Sequence, residues 1–239
     1  MKLRSYAKVN LTLDILGRRK DGFHELDTVF QHIELYDEIE LIDSDKIEIG
    51  CNLKFLESED NLAYKAAILL KEKFNINKGV SINIKKNIPI GAGLSGGSSN
   101  AAAVLKGLNV LWDLRLNKEK LIELSKELGS DVAFHIIGGT CRGKGRGEIL
   151  EKINDIEKYY VVLVYPGFDI STKEAYSNLD YGKIGKEKSS NKFAKDFNLK
   201  YLHNDFESSI FEKYPKLKEI KGKLGENSLL SGSGSSVFG

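Results

Sequence analysis

The sequence has few of the residues that build disulfide and metal sites. Its 239 residues include only two cysteines, one methionine and one tryptophan. Cys51 and Cys141 are far apart, which argues against both a disulfide framework and a zinc site. The four histidines are scattered and show no metal-ligand spacing. We therefore expect neither disulfides nor a resident metal cluster.

The chain also lacks an excess of charge of either sign. Its 36 basic and 34 acidic residues leave a formal net charge of +2. This balance gives no general attraction to nucleic acid or to an anionic membrane. No apolar run approaches the roughly 20 residues that span a bilayer, and Lys8, Asn10 and Asp14 interrupt any signal-peptide core near the N-terminus. We expect a cytoplasmic protein, either a monomer or a homodimer, that binds neither nucleic acid nor membrane.

The first half of the sequence contains both strand and helix patterns. Residues 4–16 alternate between apolar and polar side chains, which predicts a strand with Lys8 and Asn10 on its polar face. Extended runs at 28–35, 39–42 and 47–49 favour an antiparallel meander. Apolar periodicity then predicts helices, the clearest at 62–74, 117–128, 204–214 and 216–224. The mixture indicates an α+β fold.

Four features of the C-terminal third also give expectations. The β-branched and aromatic run Tyr159–Tyr165 predicts a buried strand. Ser171 and Glu174 have the spacing of a helix capping box. The lysine-rich stretch Tyr181–Asp196 predicts a mobile surface loop. Because Gly239 directly follows an apolar strand pattern, we expect the natural protein to continue beyond it.

The segment Ile88–Asn100 contains four glycines and three serines between a predicted strand and an alanine-rich helix. Glycines let the backbone approach a ligand closely. The free amides at the start of a helix, together with the helix dipole, favour an anion there. The segment therefore predicts a phosphate-binding loop, with Lys85 and Lys86 just upstream.

Two shorter patterns offer different interpretations of the glycines. Gly91, Gly93 and Gly96 fit the G-x-G-x-x-G fingerprint of a nicotinamide dehydrogenase, but that fingerprint normally follows the first strand of a parallel sheet. Gly138–Lys144 has P-loop spacing, yet Gly145 stands where a magnesium-binding hydroxyl is required. The density of small donors in Ile88–Asn100 favours phosphoryl transfer over both.

Lys8 and Asp131 are candidates for the catalytic pair of a kinase. Asp131 would orient a substrate hydroxyl and accept its proton, while Lys8 would offset charge on the transferring phosphoryl group. A carboxylate at a helix start is a weak base. Phosphoryl transfer depends more on positioning than on base strength, so this weakness is not an objection.

The sequence resembles the superfamily of galactokinase, homoserine kinase, mevalonate kinase and phosphomevalonate kinase. The loop from Pro89 to Ser99 matches its phosphate-binding motif, and 230–235 matches its third motif. Within the superfamily the chain is similar to the members that phosphorylate a cytidyl-diphosphate sugar alcohol in non-mevalonate isoprenoid synthesis. The blocks that carry this similarity are Ala7–Leu11, Asp21–Leu26, the loop with Asn100–Ala102, and Leu128–Val132.

The resemblance implies two domains, with a part like ribosomal protein S5 domain 2 at 1–155 and a ferredoxin-like part at 156–239. It implies ATP and Mg²⁺ as cofactors and a cytidyl-diphosphate substrate as partner. Lys8 and Asp131 would be catalytic. The ATP-binding residues would be Pro89, Ile90, Gly91, Ala92, Gly93, Leu94, Ser95, Gly96, Gly97, Ser98, Ser99, Asn61 and Lys86. The substrate-binding residues would be Asn10, Phe23, His24, Thr172 and Tyr176, with His24 at the cytosine edge and aromatic rings stacked on the base.

The departures from the superfamily pattern are small. Phe23 stands where tyrosine is common, and Ala133 where proline is common. Mevalonate or homoserine remains an alternative substrate, although neither has a base to stack on an aromatic ring. An RNA-binding protein is a further alternative because the first-domain fold is shared with a ribosomal protein. The balanced charge argues against it.

Overall fold

The computed structural model describes residues 1–239, and its contacts divide the chain into two units. Both units are discontinuous in sequence. The first unit comprises Met1–Ala7, Glu34–Ile88 and Ser95–Gly138, and the second comprises Lys8–Ile33, Pro89–Leu94 and Gly139–Gly239. The single domain boundary expected between residues 155 and 156 stays a prediction.

The structure has ten strands and eight α-helices. The strands are β1 (Lys2–Arg18), β2 (His24–Ser44), β3 (Ile47–Cys51), β4 (Gly79–Lys85), β5 (Thr140–Gly145), β6 (Ile149–Lys152), β7 (Leu163–Val164), β8 (His203–Asn204), β9 (Leu229–Leu230) and β10 (Val237–Phe238). The helices are α1 (Leu62–Lys73), α2 (Gly96–Leu111), α3 (Lys118–Ser125), α4 (Val132–Ile137), α5 (Thr172–Ser177), α6 (Ser189–Asp196), α7 (Glu207–Lys213) and α8 (Pro215–Leu224). None of these helices has the length and apolar composition needed to cross a membrane.

In the first unit the strand order is β3-β4-β2. β2 is antiparallel to β4, with Ile39 opposite Ile84, whereas β3 is parallel to β4, with Ile47 opposite Val80. The antiparallel meander predicted for 28–49 is therefore wrong. The runs at 28–35 and 39–42 belong to one strand, and α1 carries the chain from β3 to β4, a crossover that a parallel pair requires.

One helix of the first unit has a capped start, and another packs closely on the sheet through a glycine. Asn61 caps α1 by accepting a hydrogen bond from the Ala63 amide at 2.9 Å. A Cβ on Gly107 of α2 would lie 2.5 Å from a Leu41 methyl carbon and 2.7 Å from one of Leu3. The apolar core between helices and sheet includes Leu41, Leu70, Val80, Ile82, Ala101, Ala102, Val104, Leu105, Leu108, Leu124 and Val132.

In the second unit β1 lies between β2 and β8, while β5 pairs antiparallel with both β2 and β6. A separate sheet has the order β7-β10-β9. The strand predicted over 4–16 is confirmed as β1. Its polar face is buried, however, and Lys8, Asn10, Thr12 and Asp14 are each at most 4% exposed. Buried polar side chains need partners, so this face is where hydrogen bonds are concentrated.

Two expectations for the second unit are wrong. Only Leu163–Val164 of the run Tyr159–Tyr165 is a strand, and the Tyr160 side chain is fully exposed. Residues 189–196 of the predicted mobile loop form α6, because the buried Asp14 carboxylate accepts hydrogen bonds from the Ser189 and Ser190 amides at 3.1 and 2.8 Å. Such long-range bonds leave no local sequence pattern.

Candidate functional site

The first half of the glycine-rich loop, Pro89–Leu94, belongs to the second unit. Gly93 has φ +74°, and a Cβ there would overlap the Ser231 carbonyl oxygen. Gly91 has φ +61°, and a Cβ there would overlap the Asp169 side chain. Only glycine combines this backbone conformation with so close an approach. The Ser231 hydroxyl also donates to the Gly93 carbonyl at 3.0 Å, which ties the loop to the small-residue turn before β10.

Lys8 and Asn10 lie beside this half of the loop, within the same unit. Lys8 Nζ donates to Asn10 Oδ1 at 2.7 Å and to the Gly93 carbonyl at 3.1 Å. The Asn10 amide donates to Thr28 Oγ1 at 2.8 Å. Two predicted site residues, Lys8 and Asn10, are therefore brought together with the loop. The charge of Lys8 and the hydrogen bonds of both side chains therefore lie on the buried polar face of β1.

The second half of the loop, Ser95–Asn100, belongs to the first unit and begins α2. Ser95 has a left-handed backbone conformation, with φ +57°. The amides of Gly96, Gly97 and Ser98 have no hydrogen-bond partner, and neither has the Ser98 hydroxyl. The first amides of a helix point at a potential anion, and the helix dipole favours negative charge there. This geometry suits phosphate groups.

Asp37, which no sequence pattern singled out, holds the start of this loop. Its fully buried carboxylate accepts hydrogen bonds from Lys86 Nζ and the Asn87 amide at 2.7 Å, and from the Ile88 amide and Asn100 Nδ2 at 2.8 Å. Burial lowers the pKa of Lys86, and the Asp37 carboxylate opposes that shift. A single aspartate at the end of an extended run gives no signal of this role.

Lys86 and Asn61 were expected at the nucleotide. Lys86 Nζ donates to the Ile88 carbonyl at 2.8 Å besides its bond to Asp37. A Cβ on Gly96 would lie 2.7 Å from the same nitrogen, so Lys86 lies against the first turn of α2. Asn61 caps α1, and its amide donates to the Leu56 carbonyl at 2.9 Å. Lys86 is thus placed at the loop, whereas the Asn61 side chain is engaged in its own helix start.

Asp131 is the residue immediately before α4, and its side chain makes no capping bond. Asp131 was expected at a helix start, and α4 begins at Val132 with Asp131 in the cap position. Asp131 lies in the first unit and Lys8 in the second, and the pairing predicted for them stays a prediction. Four residues after Asp131, the buried His135 places Nε2 3.1 Å from Ser95 Oγ.

The aromatic residues expected around a cytosine lie in the second unit. The His24 ring stacks on Tyr176, with centroids 4.3 Å apart and planes 16° apart. Partial burial lowers the pKa of His24, and so does the nearby Arg18. Phe23 is 52% exposed and lies 4.7 Å from the Arg146 guanidinium. The stacked partner of Tyr176 is thus the histidine itself.

Two other residues complete this region. Tyr181 lies in the segment predicted to be a mobile loop, and its hydroxyl is 2.7 Å from His24 Nε2. Thr172 Oγ1, expected to contact the substrate, lies 3.4 Å from Ser233 Oγ in the small-residue turn. No local pattern distinguishes Tyr181 from the other exposed tyrosines, so only the fold could identify it.

A second cluster of polar groups is structural. Ligand-type atoms of Asp14, His203 and Asp205 lie within 4.8 Å of one another. Asp205 accepts hydrogen bonds from the Ile15 amide at 2.6 Å and from His203 Nε2 at 2.9 Å, and Asp14 holds the start of α6. Both carboxylates therefore have hydrogen-bond partners within the protein.

Comparisons with known proteins all identify kinases, and the matched relatives cover the whole chain. The model of the GHMP kinase N-terminal domain matches residues 61–139. A 4-diphosphocytidyl-2-C-methyl-D-erythritol kinase from Clostridium tetani is 45% identical over 100% of this chain and 90% of the relative, and the enzyme of that name from Alkaliphilus metalliredigens is 42% identical over 100% and 87%.

Solved structures give the same result. A crystal structure of 4-(cytidine 5'-diphospho)-2C-methyl-D-erythritol kinase matches with a TM-score of 0.83 and 32% identity, covering 100% of this chain and 89% of that one. A homoserine kinase from Cytophaga hutchinsonii matches with a TM-score of 0.76 at 17% identity, which shows a shared fold alone. The dehydrogenase and RNA-binding alternatives are not favoured.

Proposed function

Because this chain belongs to the 4-diphosphocytidyl-2-C-methyl-D-erythritol kinase family of GHMP kinases, we propose that it transfers the terminal phosphoryl group of ATP to the 2-hydroxyl of 4-diphosphocytidyl-2-C-methyl-D-erythritol. The reaction serves non-mevalonate isoprenoid precursor biosynthesis. The observation that carries the proposal is 41–45% identity to enzymes of that name over the whole chain.

The glycine-rich loop binds the triphosphate of ATP. The unpartnered amides of Gly96, Gly97 and Ser98 donate to phosphate oxygens, and the start of α2 supplies positive potential. Lys86, paired with the buried Asp37 carboxylate, supports the first turn of α2. Asn61 contributes to the adenine side of the nucleotide, as the family resemblance implies.

The acceptor hydroxyl is oriented by Asp131, which takes its proton as the phosphoryl group transfers. Lys8 offsets the negative charge that develops on the transferring group. Asn10 supports this role because it holds Lys8 Nζ at 2.7 Å. Positioning supplies most of the acceleration in such reactions, since the transition state is largely dissociative.

The cytidine moiety binds near His24. At neutral pH the lowered pKa of His24 keeps its ring uncharged, so one ring nitrogen donates a hydrogen bond and the other accepts one. The exposed Phe23 ring provides an aromatic face for the pyrimidine, worth about 1–3 kcal/mol per stacked base. Tyr176 stacks on His24 and so holds the ring that meets the cytosine edge. Thr172 contacts the substrate from the start of α5.

Magnesium fits the hard oxygen donors of the loop. The Ser98 hydroxyl, which has no protein partner, would hold the ion together with phosphate oxygens and water. When bound, the ion neutralises charge on the phosphates. Mg²⁺ usually keeps several waters and takes few protein ligands beside substrate phosphates, so a small protein contribution suits it.

The finer fold assignment is also a proposal. Residues 1–155 would have the fold of ribosomal protein S5 domain 2, and residues 156–239 a ferredoxin-like fold. The cytoplasmic location and the monomeric or homodimeric state stay predictions from the sequence.

An assay of ADP release tests the proposed function. Purified protein with Mg-ATP is given 4-diphosphocytidyl-2-C-methyl-D-erythritol, mevalonate, homoserine or galactose in separate reactions. We expect turnover with the cytidyl compound alone, and phosphorus NMR of its product should place the new phosphate on the 2-oxygen. Turnover with only mevalonate or homoserine would replace the substrate assignment.

A further inference from the structure

His135 is buried on α4 and has no place in the proposed chemistry. It is 3% exposed, and its Nε2 lies 3.1 Å from Ser95 Oγ. The Lys106 ammonium donates to the His135 carbonyl at 3.1 Å, so α2 also holds the backbone of this residue. Both His135 and Ser95 belong to the first unit.

Ser95 occupies the cap position of α2 in an unusual way. A serine there normally has an extended backbone, and its hydroxyl accepts a hydrogen bond from the second or third amide of the helix. Ser95 instead has φ +57° and ψ +32°, and its side chain caps no amide. A left-handed non-glycine residue persists only where surrounding contacts hold it.

The contact with His135 explains both the left-handed backbone of Ser95 and the side chain that caps no amide. The hydroxyl of Ser95 is turned to the imidazole, so it does not accept a bond from Gly97 or Ser98. Those amides stay available for phosphate. Without the imidazole, the hydroxyl would be free to cap its own helix and would compete with the nucleotide for a donor.

We propose that His135 is a positioning residue for nucleotide binding, holding the Ser95 hydroxyl away from the amides at the start of α2. The inference rests on the proposed kinase function, because it assigns those amides to ATP phosphates. It adds a link between the helix that follows Asp131 and the phosphate loop. The histidine acts through Ser95 and contacts no reacting atom.

The test combines substitutions at the two positions. His135→Phe keeps the ring volume and removes the nitrogen, whereas His135→Gln keeps a polar group that reaches Ser95. Ser95→Gly removes the hydroxyl and adopts the left-handed backbone without strain. Calorimetry measures binding of magnesium with a non-hydrolysable ATP analogue, and circular dichroism checks the fold of each variant.

We expect His135→Phe to weaken analogue binding about tenfold, because the Ser95 hydroxyl would then occupy one amide that otherwise donates to a charged phosphate oxygen. His135→Gln should bind within about twofold of the wild type. In the Ser95→Gly background, His135→Phe should have almost no effect, because no hydroxyl remains to compete. In turnover assays the KM for ATP should rise with His135→Phe while the KM for the cytidyl substrate stays unchanged.

An equal loss of analogue affinity from His135→Phe in the Ser95 and Ser95→Gly backgrounds would overturn the proposal, since it would mean a general packing role. If His135→Phe does not fold, His135→Leu replaces it in the same cycle. The analogue is bound without any alcohol substrate. Failure to phosphorylate the cytidyl compound would therefore reject the proposed substrate and leave the result of this cycle intact.

Discussion

The Lys86 ammonium and the Asp37 carboxylate lie 2.7 Å apart, and their side chains are 5% and 0% exposed. The carboxylate also accepts the amides of Asn87 and Ile88, which lead into the glycine-rich loop. The ion pair therefore fixes the direction in which the chain leaves β4.

Removing one partner of this pair should destabilise the protein strongly. Asp37→Ala leaves Lys86 buried without its counter-charge and two amides unpaired, and we expect a loss of about 3–5 kcal/mol in the free energy of unfolding. Urea denaturation measures it. Glu38→Gln, which breaks the exposed pair with Lys85, is the matched control and should unfold close to the wild type. Equal stability of the two variants would contradict this role of Asp37.

The carboxylate of Asp131 should matter for turnover and not for nucleotide binding. Asp131→Asn keeps the shape of the side chain and cannot accept the proton, so we expect kcat to fall at least ~100-fold. Binding of a non-hydrolysable ATP analogue should be nearly unchanged. Asp113→Asn is the control, because Asp113 is exposed and pairs with Arg115. Near-normal turnover of Asp131→Asn would remove Asp131 from its proposed role.

Tyr181 should compete with the substrate for His24. Its hydroxyl lies 2.7 Å from the ring nitrogen that faces it, so a cytosine using that nitrogen must displace it. We expect Tyr181→Phe to lower the KM for the cytidyl substrate about two- to tenfold, which corresponds to one ordinary hydrogen bond. The KM for ATP should not change. Tyr160→Phe, at a fully exposed ring, serves as control, and an unchanged or raised KM for the cytidyl substrate in Tyr181→Phe would contradict the competition.

Stability should depend on pH through His203. Burial lowers the pKa of His203, but the Asp205 hydrogen bond, with the charges of Asp205, Asp14 and Glu207, raises it above its usual value overall. Stabilisation by the protonated ring is complete below about pH 6.5 and is lost as the pH rises through the raised pKa. The difference in unfolding free energy between wild type and His203→Gln should therefore shrink as the pH increases. A difference that grows with pH would contradict this sign.

Local patterns predicted the elements that frame the site. The alternation over 4–16 predicted β1, and the residues around Asn61 predicted the start of α1, because hydrogen bonds and side-chain periods within a few residues determine both. The predicted capping box at Ser171 is half confirmed. Its hydroxyl accepts from the Glu174 amide at 3.1 Å, but the Glu174 carboxylate accepts from the Tyr214 hydroxyl instead.

Long-range partners account for the expectations that failed. The lysine-rich segment 181–196 has the composition of a loop, yet Asp14, 175 residues before Ser189, accepts hydrogen bonds from the amides where α6 begins. The run Tyr159–Tyr165 has the composition of a buried strand, but composition alone does not supply the neighbours that would cover it. Burial is a property of the assembled fold.

By itself, the sequence determined the α+β character of the chain and the family, and it predicted a phosphate-binding loop. These depend on the order of small, apolar and charged residues along a continuous stretch. The tertiary structure alone decided that the polar face of β1 is buried, that Asp37 holds Lys86, and that His135 holds the Ser95 hydroxyl. The last two are hydrogen bonds between groups distant in sequence. All three depend on burial away from water, which no local pattern encodes.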